Sequence, residues 1–374
     1  MKIAILSCFY PYRGGISQFN SHLLEELGRN HEVRAFNFKR QYPGILFPGK
    51  TQYVTRDDDF EPVDSVRILD TLNPISWNRT AAAIKEWGAE ILILRYWMPW
   101  FALPLGFVAR RMGSECKVIG ILDNVIPHER HLGDKFLTQY FLGGLDGCVT
   151  MCREVADDLC RWDKDAKYIV REHPVYDKFG ERISREEAEK MLGLEPGKKN
   201  LLFFGLIRDY KGLDILIDAF DRIEPNYQLI IAGEPYGSFE KYQRQIDASP
   251  GRKRIHVFPK FISNSEVKNY FSAADVCVLP YKSATQSGVS AVSYHFDVPM
   301  IVTDVGGLKE MIGDSGTGLV SSAATPSFVA KKIEEFFQDP SVRKKCVENI
   351  HKLKTELSWE KFCAELVDFA QSLR

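Results

Sequence analysis

The stretch NLLFFGLIRDYKGLDILIDAF, residues 200–220, decides the fold prediction because its periodicity changes in the middle. Four apolar residues follow Asn200, as in a strand that is buried on both faces of a sheet. Two glycines and two cations come next, and apolar residues then recur at the spacing of an amphipathic helix. Strand, glycine-containing turn and helix are the repeating unit of a parallel α/β sheet.

The same unit recurs along both halves of the chain, which predicts an α/β fold with two open, doubly wound sheets. The predicted strands of the first half are Ile3–Cys8, Glu32–Phe38, Val66–Leu69, Ile91–Leu94, Lys117–Leu122, Gly147–Met151 and Tyr168–Val170. Those of the second half are Asn200–Phe204, Gln228–Ala232, Ile255–Phe258, Val276–Pro280, Pro299–Thr303 and Gly318–Val320.

Two domains are expected for a chain of 374 residues. The charged stretch REHPVYDKFGERISREEAEK, residues 171–190, reads as a linker followed by a short exposed helix. The predicted domains are therefore residues 1–172 and 173–374. Helical periodicity continues from Ser327 to the C-terminus, and these last helices are allowed to pack back onto the first domain.

Charge and composition exclude several classes of protein. Lys and Arg number 49 and Asp and Glu 50, for a formal net charge of -1, so no general basic field attracts nucleic acid. The eight cysteines contain no CxxC pair, which favours buried thiols in a reducing compartment over disulfides or a zinc site. With no signal peptide and no membrane-spanning run recognised, the expected location is the cytoplasm.

The segment from Tyr96 to Arg111 has two interpretations. It combines aromatic residues, among them Trp97, Trp100, Phe101 and Phe107, with a terminal pair of arginines. Such a mixture suits a lipid interface, which would place the protein peripherally at the inner face of a membrane. It also suits a helix buried against a sheet, and the sequence favours that second interpretation.

The first strand is followed by a pair of glycines, Gly14 and Gly15, in the loop FYPYRGGISQF. Adjacent glycines allow either a tight turn or close approach of the backbone to a ligand. The loop lacks the GxGxxG spacing, and no acidic residue ends the second strand. A dehydrogenase with a nicotinamide cofactor is therefore disfavoured, and no cofactor is expected.

The corresponding loop of the second domain carries Gly205, Arg208, Lys211 and Gly212. A planar guanidinium and a point-charged ammonium at the start of a helix suit the oxygens of a diphosphate. Solvated surface cations are the alternative. The loop is interpreted as a phosphate-binding turn.

A third loop places Gln286, Ser287, Gly288 and Val289 at the start of a helix after the strand VCVLPY. Small polar residues there expose backbone N–H groups to an anion, although simple N-capping explains them too. A further strand is followed by Gly306 and Gly307, and Glu310 lies in the first turn of the next helix. In parallel sheets these loops share one edge, so a cleft between two such edges is expected.

The ordered set GGISQF, FFGLIRDYKG, LIIAGEPYG, DVCVLPY, QSGV and DVPMIVTDVGGLKE resembles glycosyltransferase family 4. This resemblance covers nearly the whole chain and implies a retaining, metal-independent enzyme of GT-B fold that uses nucleotide sugars. It implies that Arg208 and Lys211 bind the donor diphosphate. Gly15 and the amides around Ser287 and Gly288 would complete the cradle.

Two positions depart from the pattern of that family. Its pair of glutamates would fall near Ala284 and Val292, neither of which is acidic, and QSGV suggests a subgroup. The usual GxP is DVP here, with Asp297 in place of the glycine.

The first-domain stretch VIGILDNVIPHERH presents two further candidates, Asp123 and His128, after a strand. Family resemblance implies that they orient the sugar or shield positive charge that develops on it, and a histidine can also transfer a proton. A structural or solvated loop is the alternative for both. The acidic run 57–59 is interpreted as solvated, and no metal site is expected.

The sequence thus predicts a retaining glycosyltransferase that moves a sugar from a nucleoside diphosphate sugar to a hydroxyl acceptor, in bacterial-type glycan, polysaccharide or glycolipid assembly. Its expected partners are that donor and a glycan or lipid-linked acceptor, with possible membrane contact and no nucleic acid. A GT-B epimerase or phosphorylase, and a catalytically silent sugar-binding protein, are the alternatives.

Overall fold

A computed structural model describes residues 1–43, 51–54, 62–127, 131–175, 179–284 and 287–373. Contacts divide the chain into two compact units. The first unit contains the described residues up to Pro174 together with the C-terminal segment from Ser358, and the second is Val175–Leu357. The C-terminal helix therefore belongs to the first unit.

The first unit is built on a seven-stranded parallel sheet in the order β3-β2-β1-β4-β5-β6-β7. Its strands are β1 (Lys2–Ser7), β2 (Glu32–Arg40), β3 (Ser65–Asp70), β4 (Ile91–Tyr96), β5 (Lys117–Leu122), β6 (Gly147–Thr150) and β7 (Tyr168–Val170). The helices between them are α1 (Gly15–Gly28), α2 (Pro74–Trp87), α3 (Ala102–Arg111), α4 (Asp134–Leu142) and α5 (Arg153–Trp162).

The second unit repeats the architecture with six parallel strands in the order β10-β9-β8-β11-β12-β13. Its strands are β8 (Lys199–Phe204), β9 (Tyr227–Ala232), β10 (Ile255–Phe258), β11 (Val276–Leu279), β12 (Met300–Thr303) and β13 (Gly318–Ser321). Its α-helices are α6 (Arg185–Leu192), α7 (Leu213–Phe220), α8 (Glu240–Ala248), α9 (Asn264–Ala273), α10 (Gly288–His295), α11 (Pro326–Gln338) and α12 (Pro340–Glu356), and a π-helix spans Lys309–Asp314.

Local signals set the ends of several helices. Asn73 accepts a hydrogen bond from the amide of Ile75 and is followed by a proline at the first helical position of α2. Ser263 and Glu266 form a reciprocal capping box at the start of α9. Strands β4 and β9 are buried along their whole length, which is why they read as mainly apolar runs, with Arg95 and Gln228 as the polar exceptions.

The predicted pair of parallel α/β sheets is confirmed, and the strand ends lie within two residues of the predicted ones. The prediction that the helix after the linker is exposed is wrong. Helix α6 packs against α9, and Ala188, Glu189 and Leu192 are buried. Glu189 is tolerated there because its carboxylate pairs with Arg185 Nε at 2.7 Å.

The final helix, α13 (Trp359–Ser372), packs against α1 of the first unit. The ring of Phe19 lies 4.9 Å from that of Trp359 and 5.8 Å from that of Phe362. Aromatic edge contacts of this kind strengthen a buried interface beyond its area. This packing is why the last helix is assigned to the first unit.

The aromatic segment after β4 lies largely in the core of the first unit. Tyr96 and Phe101 are buried, and Trp97 and Trp100 are half-buried against the same core. Arg110 lies over the ring of Tyr140 at 4.0 Å. These contacts favour the buried-helix interpretation, because the aromatic side chains that would enter a lipid surface pack inward. Among the described helices, none is both long and apolar enough to cross a bilayer.

The backbone at Asp297 explains why glycine is usual at this position in glycosyltransferase family 4, which the sequence resembles. Its φ is +54°, in the left-handed region that glycine adopts without steric cost. Lys354 Nζ contacts the Asp297 carboxylate at 2.9 Å and His351 Nε2 lies 3.2 Å from it. These contacts offset part of the backbone cost.

Candidate functional site

Strands β8 and β11 are neighbours in the second sheet, and the chain leaves them in opposite directions. In open α/β sheets ligands bind beyond the carboxyl ends of the strands at such a switch point. The loops that follow these two strands carry Gly205–Gly212 and Tyr281–Gly288, which are the loops singled out in the sequence.

The turn after β8 is held by backbone contacts. The Gly205 amide donates to Ala232 O at 3.0 Å, and that of Ile207 donates to Glu234 O at 2.9 Å. Gly212 has a φ of +67°, and a Cβ there would lie 2.0 Å from Pro280 O. Only glycine allows the turn to sit this close to the end of β11.

Lys211 is directed into the centre of this loop cluster. A Cβ on Gly205 would lie 3.4 Å from Lys211 Nζ, and the ammonium lies 5.4 Å from the ring centroid of Tyr281. Burial, reinforced by the neighbouring Arg208 charge, lowers the pKa of Lys211 to about 8. A buried ammonium with a lowered pKa gains affinity for an anion, because the anion replaces the lost hydration.

Arg208 lies beside Lys211 and is partly exposed. Its guanidinium lies 4.3 Å from the ring of Tyr236 and 5.7 Å from that of Tyr210. Two aromatic faces thus restrict the side chain without neutralising it. The guanidinium remains a donor for an anionic group.

Other cations at the same turn are neutralised. Lys282 pairs with Asp214 at 2.8 Å and with Asp209 at 3.2 Å, and Lys241 also pairs with Asp209. Across the described ranges, by contrast, no carboxylate lies within ion-pair distance of the two predicted phosphate ligands. The uncompensated positive charge is therefore confined to the Arg208 and Lys211 side chains.

The third predicted loop closes against the same turn. Val289 Cγ2 would lie 3.4 Å from a Cβ on Gly205, and Tyr281 Oη lies 3.2 Å from Ser287 Oγ. Among the described residues no side chain caps α10, and none lies within 4 Å of a Cβ placed on Gly288. Gln286 lies outside the described residues.

Glu310 lies in the first turn of the π-helix that follows β12, at the same sheet edge, and is partly exposed. Tyr294 of α10 donates to Met311 O at 2.9 Å, which links the π-helix to the helix of the third loop. The position of Glu310 therefore depends on the packing of the π-helix against α10.

In the first unit, Gly14 and Gly15 precede and begin α1 after β1. Gly14 has a φ of +111°, which glycine adopts readily, whereas the backbone of Gly15 is helical. Within the described residues nothing lies within 4 Å of a Cβ placed on either residue. Lack of space for a side chain is therefore not what requires a glycine at position 15.

Asp123 follows β5 and forms a buried ion pair that sequence reasoning missed. Arg95 Nε donates to Asp123 Oδ2 at 2.9 Å, and Arg95 Nη2 donates to Oδ1 at 2.6 Å. The side chains of Arg95 and Asp123 are 4% and 11% exposed. The guanidinium also lies 3.8 Å from the ring of Phe19. Asp123 is thus held in one orientation and is not a solvated side chain.

The surroundings of Arg95 are strongly desolvated. Burial raises the pKa of the Cys8 thiol to about 12 and lowers the pKa of His173 to about 3, so both are neutral at pH 7. Arg95 Nη1 is buried without a hydrogen-bond partner. His128, and the acidic run at 57–59, lie outside the described residues.

Arg95, Tyr236 and Tyr281 are the site residues that sequence reasoning did not assign. The charge of Arg95 within the apolar run ILILRY was one available signal, because a charge at the end of a buried strand requires a partner. The two tyrosines gave none, since aromatic residues near strand ends are common in any core.

Two Rossmann-like units, each with a switch point of this topology, define the GT-B class of fold. Solved structures of similar fold include sucrose-phosphate synthase from Thermosynechococcus elongatus, with 17% identity and a TM-score of 0.79 over 100% of this chain and 99% of that one. Another is Anabaena HepE in complex with UDP, with 13% identity and a TM-score of 0.77 over 100% of both chains.

Residues 184–353 match the family described as Glycosyl transferases group 1. An uncharacterized glycosyltransferase of Methanocaldococcus jannaschii is 24% identical over 96% of this chain and 95% of its own length. A D-inositol 3-phosphate glycosyltransferase of Streptomyces bingchenggensis is 25% identical over 67% of this chain and 58% of its own length. The match over the second unit and the likeness of nearly the whole chain to the Methanocaldococcus protein identify the chain as a glycosyltransferase.

Proposed function

We propose that this glycosyltransferase takes its sugar from a nucleoside diphosphate sugar and transfers it to a hydroxyl acceptor with retention, as a member of glycosyltransferase family 4. The observation that carries the proposal is the uncompensated pair Arg208 and Lys211 at the switch point of the second sheet. Among the structural relatives, Anabaena HepE has been solved with UDP and with UDP-glucose.

Arg208 and Lys211 would bind the diphosphate and stabilise the charge that grows on it as the bond to the sugar breaks. Gly205 leaves room for the phosphate beside the Lys211 ammonium, and the backbone amides of Ser287 and Gly288, which no described side chain caps, add donors. Gly15 and Val289 contribute backbone that a ligand can approach. Glu310 is proposed as a further residue that contacts the nucleotide-sugar donor, and Gln286 and Gly14 are candidates for the same role.

In this mechanism the bond between the anomeric carbon and the diphosphate oxygen breaks on the face where the acceptor oxygen arrives. The acceptor proton passes to the departing diphosphate, which balances the charge without an enzymic nucleophile. Asp123, held by Arg95, would orient the sugar or shield its developing positive charge, and His128 is a second candidate. Two fixed cations can neutralise the leaving group, so the reaction is proposed to need no metal ion.

The acceptor is proposed to be a hydroxyl of a growing glycan or of a lipid-linked sugar, and the enzyme is proposed to act in the cytoplasm. Names of relatives support this class: one is a lipopolysaccharide core mannosyltransferase of Rhizobium meliloti, 26% identical over 39% of this chain.

The test measures binding of UDP, GDP, ADP and CMP by thermal shift, then donor hydrolysis and transfer with the nucleotide that binds. Arg208→Ala and Lys211→Ala should each lower turnover about 10²- to 10³-fold, as when one preorganised group opposite developing charge is lost. Lys241→Ala is the matched control, because Lys241 is already paired at the same turn. It should behave as wild type.

Wild-type turnover in both site variants would refute the phosphate assignment. The anomeric configuration of the product, read by NMR, tests retention directly. Activity that is lost in EDTA and restored only by Mg²⁺ or Mn²⁺ would refute the metal-independent mechanism. Isomerised donor or phosphorolysis without transfer would instead indicate an epimerase or a phosphorylase.

A further inference from the structure

A cavity of about 390 Å³ lies in the second unit, away from the loops of the candidate donor site. Lys199, the first residue of β8, and Asp275, which directly precedes β11, both line it. It therefore opens at the amino ends of the strands, whereas Gly205 marks the carboxyl end of β8. A six-residue strand separates the two edges by about 17 Å.

One wall of the cavity is formed by a hydrogen-bond network around Arg185. Its Nη1 donates to Asp275 Oδ1 at 2.7 Å, its Nε to Glu189 at 2.7 Å and its Nη2 to Lys198 O at 2.6 Å. Asp275 Oδ2 accepts from the amide of Asn200 at 2.9 Å. The single carboxylate that lines the cavity is thus already engaged through both oxygens.

Two further cations at the cavity are less compensated, because Arg343 has to share Asp275 with Arg185 and Lys199 has no ion-pair partner among the described residues. Arg343 Nη2 lies 3.7 Å from the engaged Asp275, and Arg343 Nε is buried without a hydrogen-bond partner although the side chain is 43% exposed. Lys199 Nζ lies 4.9 Å from the rings of Phe337 and Tyr227, and no carboxylate of the described segments is within ion-pair distance. Positive charge therefore faces a cavity with an aromatic side.

A third arginine, Arg182, lies close enough to Arg343 for the two positive charges to repel each other. Burial lowers the pKa of Arg182 and the nearby Arg343 charge lowers it further, whereas the carboxylates of Asp297 and Asp275 act in the opposite direction. An anion in the cavity would relieve the repulsion between the two guanidinium groups.

We infer that this cavity is a second anion site, in which Arg343 and Lys199 bind the phosphate group of a small phosphorylated metabolite. The rest of the ligand packs against Phe337. A phosphate has enough oxygens to accept from a guanidinium fork and an ammonium together. The volume exceeds that of a bare phosphate and is in the range of small-ligand pockets.

The experiment is isothermal titration with glucose 6-phosphate as the probe, alongside inorganic phosphate and uncharged glucose. It compares wild type with Arg343→Gln, with Lys199→Gln and with the donor-loop variant Arg208→Ala/Lys211→Ala. Lys344→Gln, an exposed neighbour on α12, is the matched control. Melting temperatures establish that each variant is folded.

Wild type, the control and the donor-loop variant should bind glucose 6-phosphate alike, and glucose should not bind. Each cavity variant should lose about tenfold or more in affinity, the effect of one charge-assisted hydrogen bond. Binding that survives in both cavity variants, or that vanishes in the donor-loop variant, would overturn the inference. So would inorganic phosphate binding as tightly as the sugar phosphate, or no binding by wild type at millimolar concentration.

The inference is independent of the proposed reaction. If the donor loops fail their own test, the cavity variants still decide whether this second site exists.

Discussion

Replacing Arg95 by methionine should destabilise the first unit strongly, because it leaves the Asp123 carboxylate buried without its cation. The two side chains are 4% and 11% exposed and share two hydrogen bonds of 2.9 and 2.6 Å. Breaking such a pair by removing one partner costs about 3–5 kcal/mol. Loss of the contact between the guanidinium and the Phe19 ring adds to that cost.

Tryptophan fluorescence during urea unfolding isolates the effect, because all six tryptophans lie in the first unit. With an m-value of about 2 kcal/mol/M, the predicted loss lowers the unfolding midpoint by about 1.5–2.5 M. Arg29→Met is the control. Its 2.8 Å pair with Glu26 is only partly buried, with the arginine side chain 62% and the glutamate side chain 10% exposed, so its loss should cost less than the loss of Arg95.

The double variant Arg95→Met/Asp123→Leu completes a mutant cycle. Removing both charges should recover much of the loss, since an apolar pair avoids the desolvation cost of the ions. A single-variant loss no larger than that of the control, or additive effects in the cycle, would show that the pair does not stabilise the unit as argued.

Three further predictions concern the candidate donor loops. Because the pKa of Lys211 is lowered to about 8, its charge is present below that pH and lost above it, so nucleoside diphosphate affinity should fall as pH rises through 8. Calorimetric titration from pH 7 to 9.5 measures this, and Lys211→Arg should flatten the profile; a flat wild-type profile would contradict it. Gly15→Ala should keep the wild-type melting temperature but weaken donor binding, whereas Gly28→Ala at the other end of α1 should change neither, and equal donor affinity in both variants would remove Gly15 from the site. Gly212→Ala should destabilise the second unit by several kcal/mol, as a Cβ 2.0 Å from Pro280 O requires the turn to move, and an unchanged melting temperature would refute the close packing.

Much of the fold could be predicted from local pattern. A strand buried on both faces is mainly apolar, and a helix on a sheet is apolar along one stripe. The sequence of runs such as 200–204 and 213–220 is therefore enough to identify them as a strand and a helix. A helix was predicted after the linker, but the burial of α6 against α9 depends on residues more than seventy positions away. Local pattern does not contain that information.

The candidate loops were predictable for a related reason. In a parallel sheet all carboxyl ends meet at one edge, so Gly205, Lys211 and Gly288 had to share it. Their mutual fit was not predictable, since the 3.4 Å approaches of Lys211 Nζ and Val289 Cγ2 to the Gly205 Cβ position depend on how two loops close.

What the sequence determined by itself is the order of elements, the two sheets and the glycines and cations at their strand ends, because these follow from short-range periodicity and backbone preference. Only the tertiary structure decided which charges are compensated. Arg95 and Asp123 are 28 positions apart and meet because β4 and β5 are neighbours. The charge of Lys282 is compensated by two carboxylates, whereas no described carboxylate pairs with Lys211, since ion pairing depends on distance in space rather than along the chain.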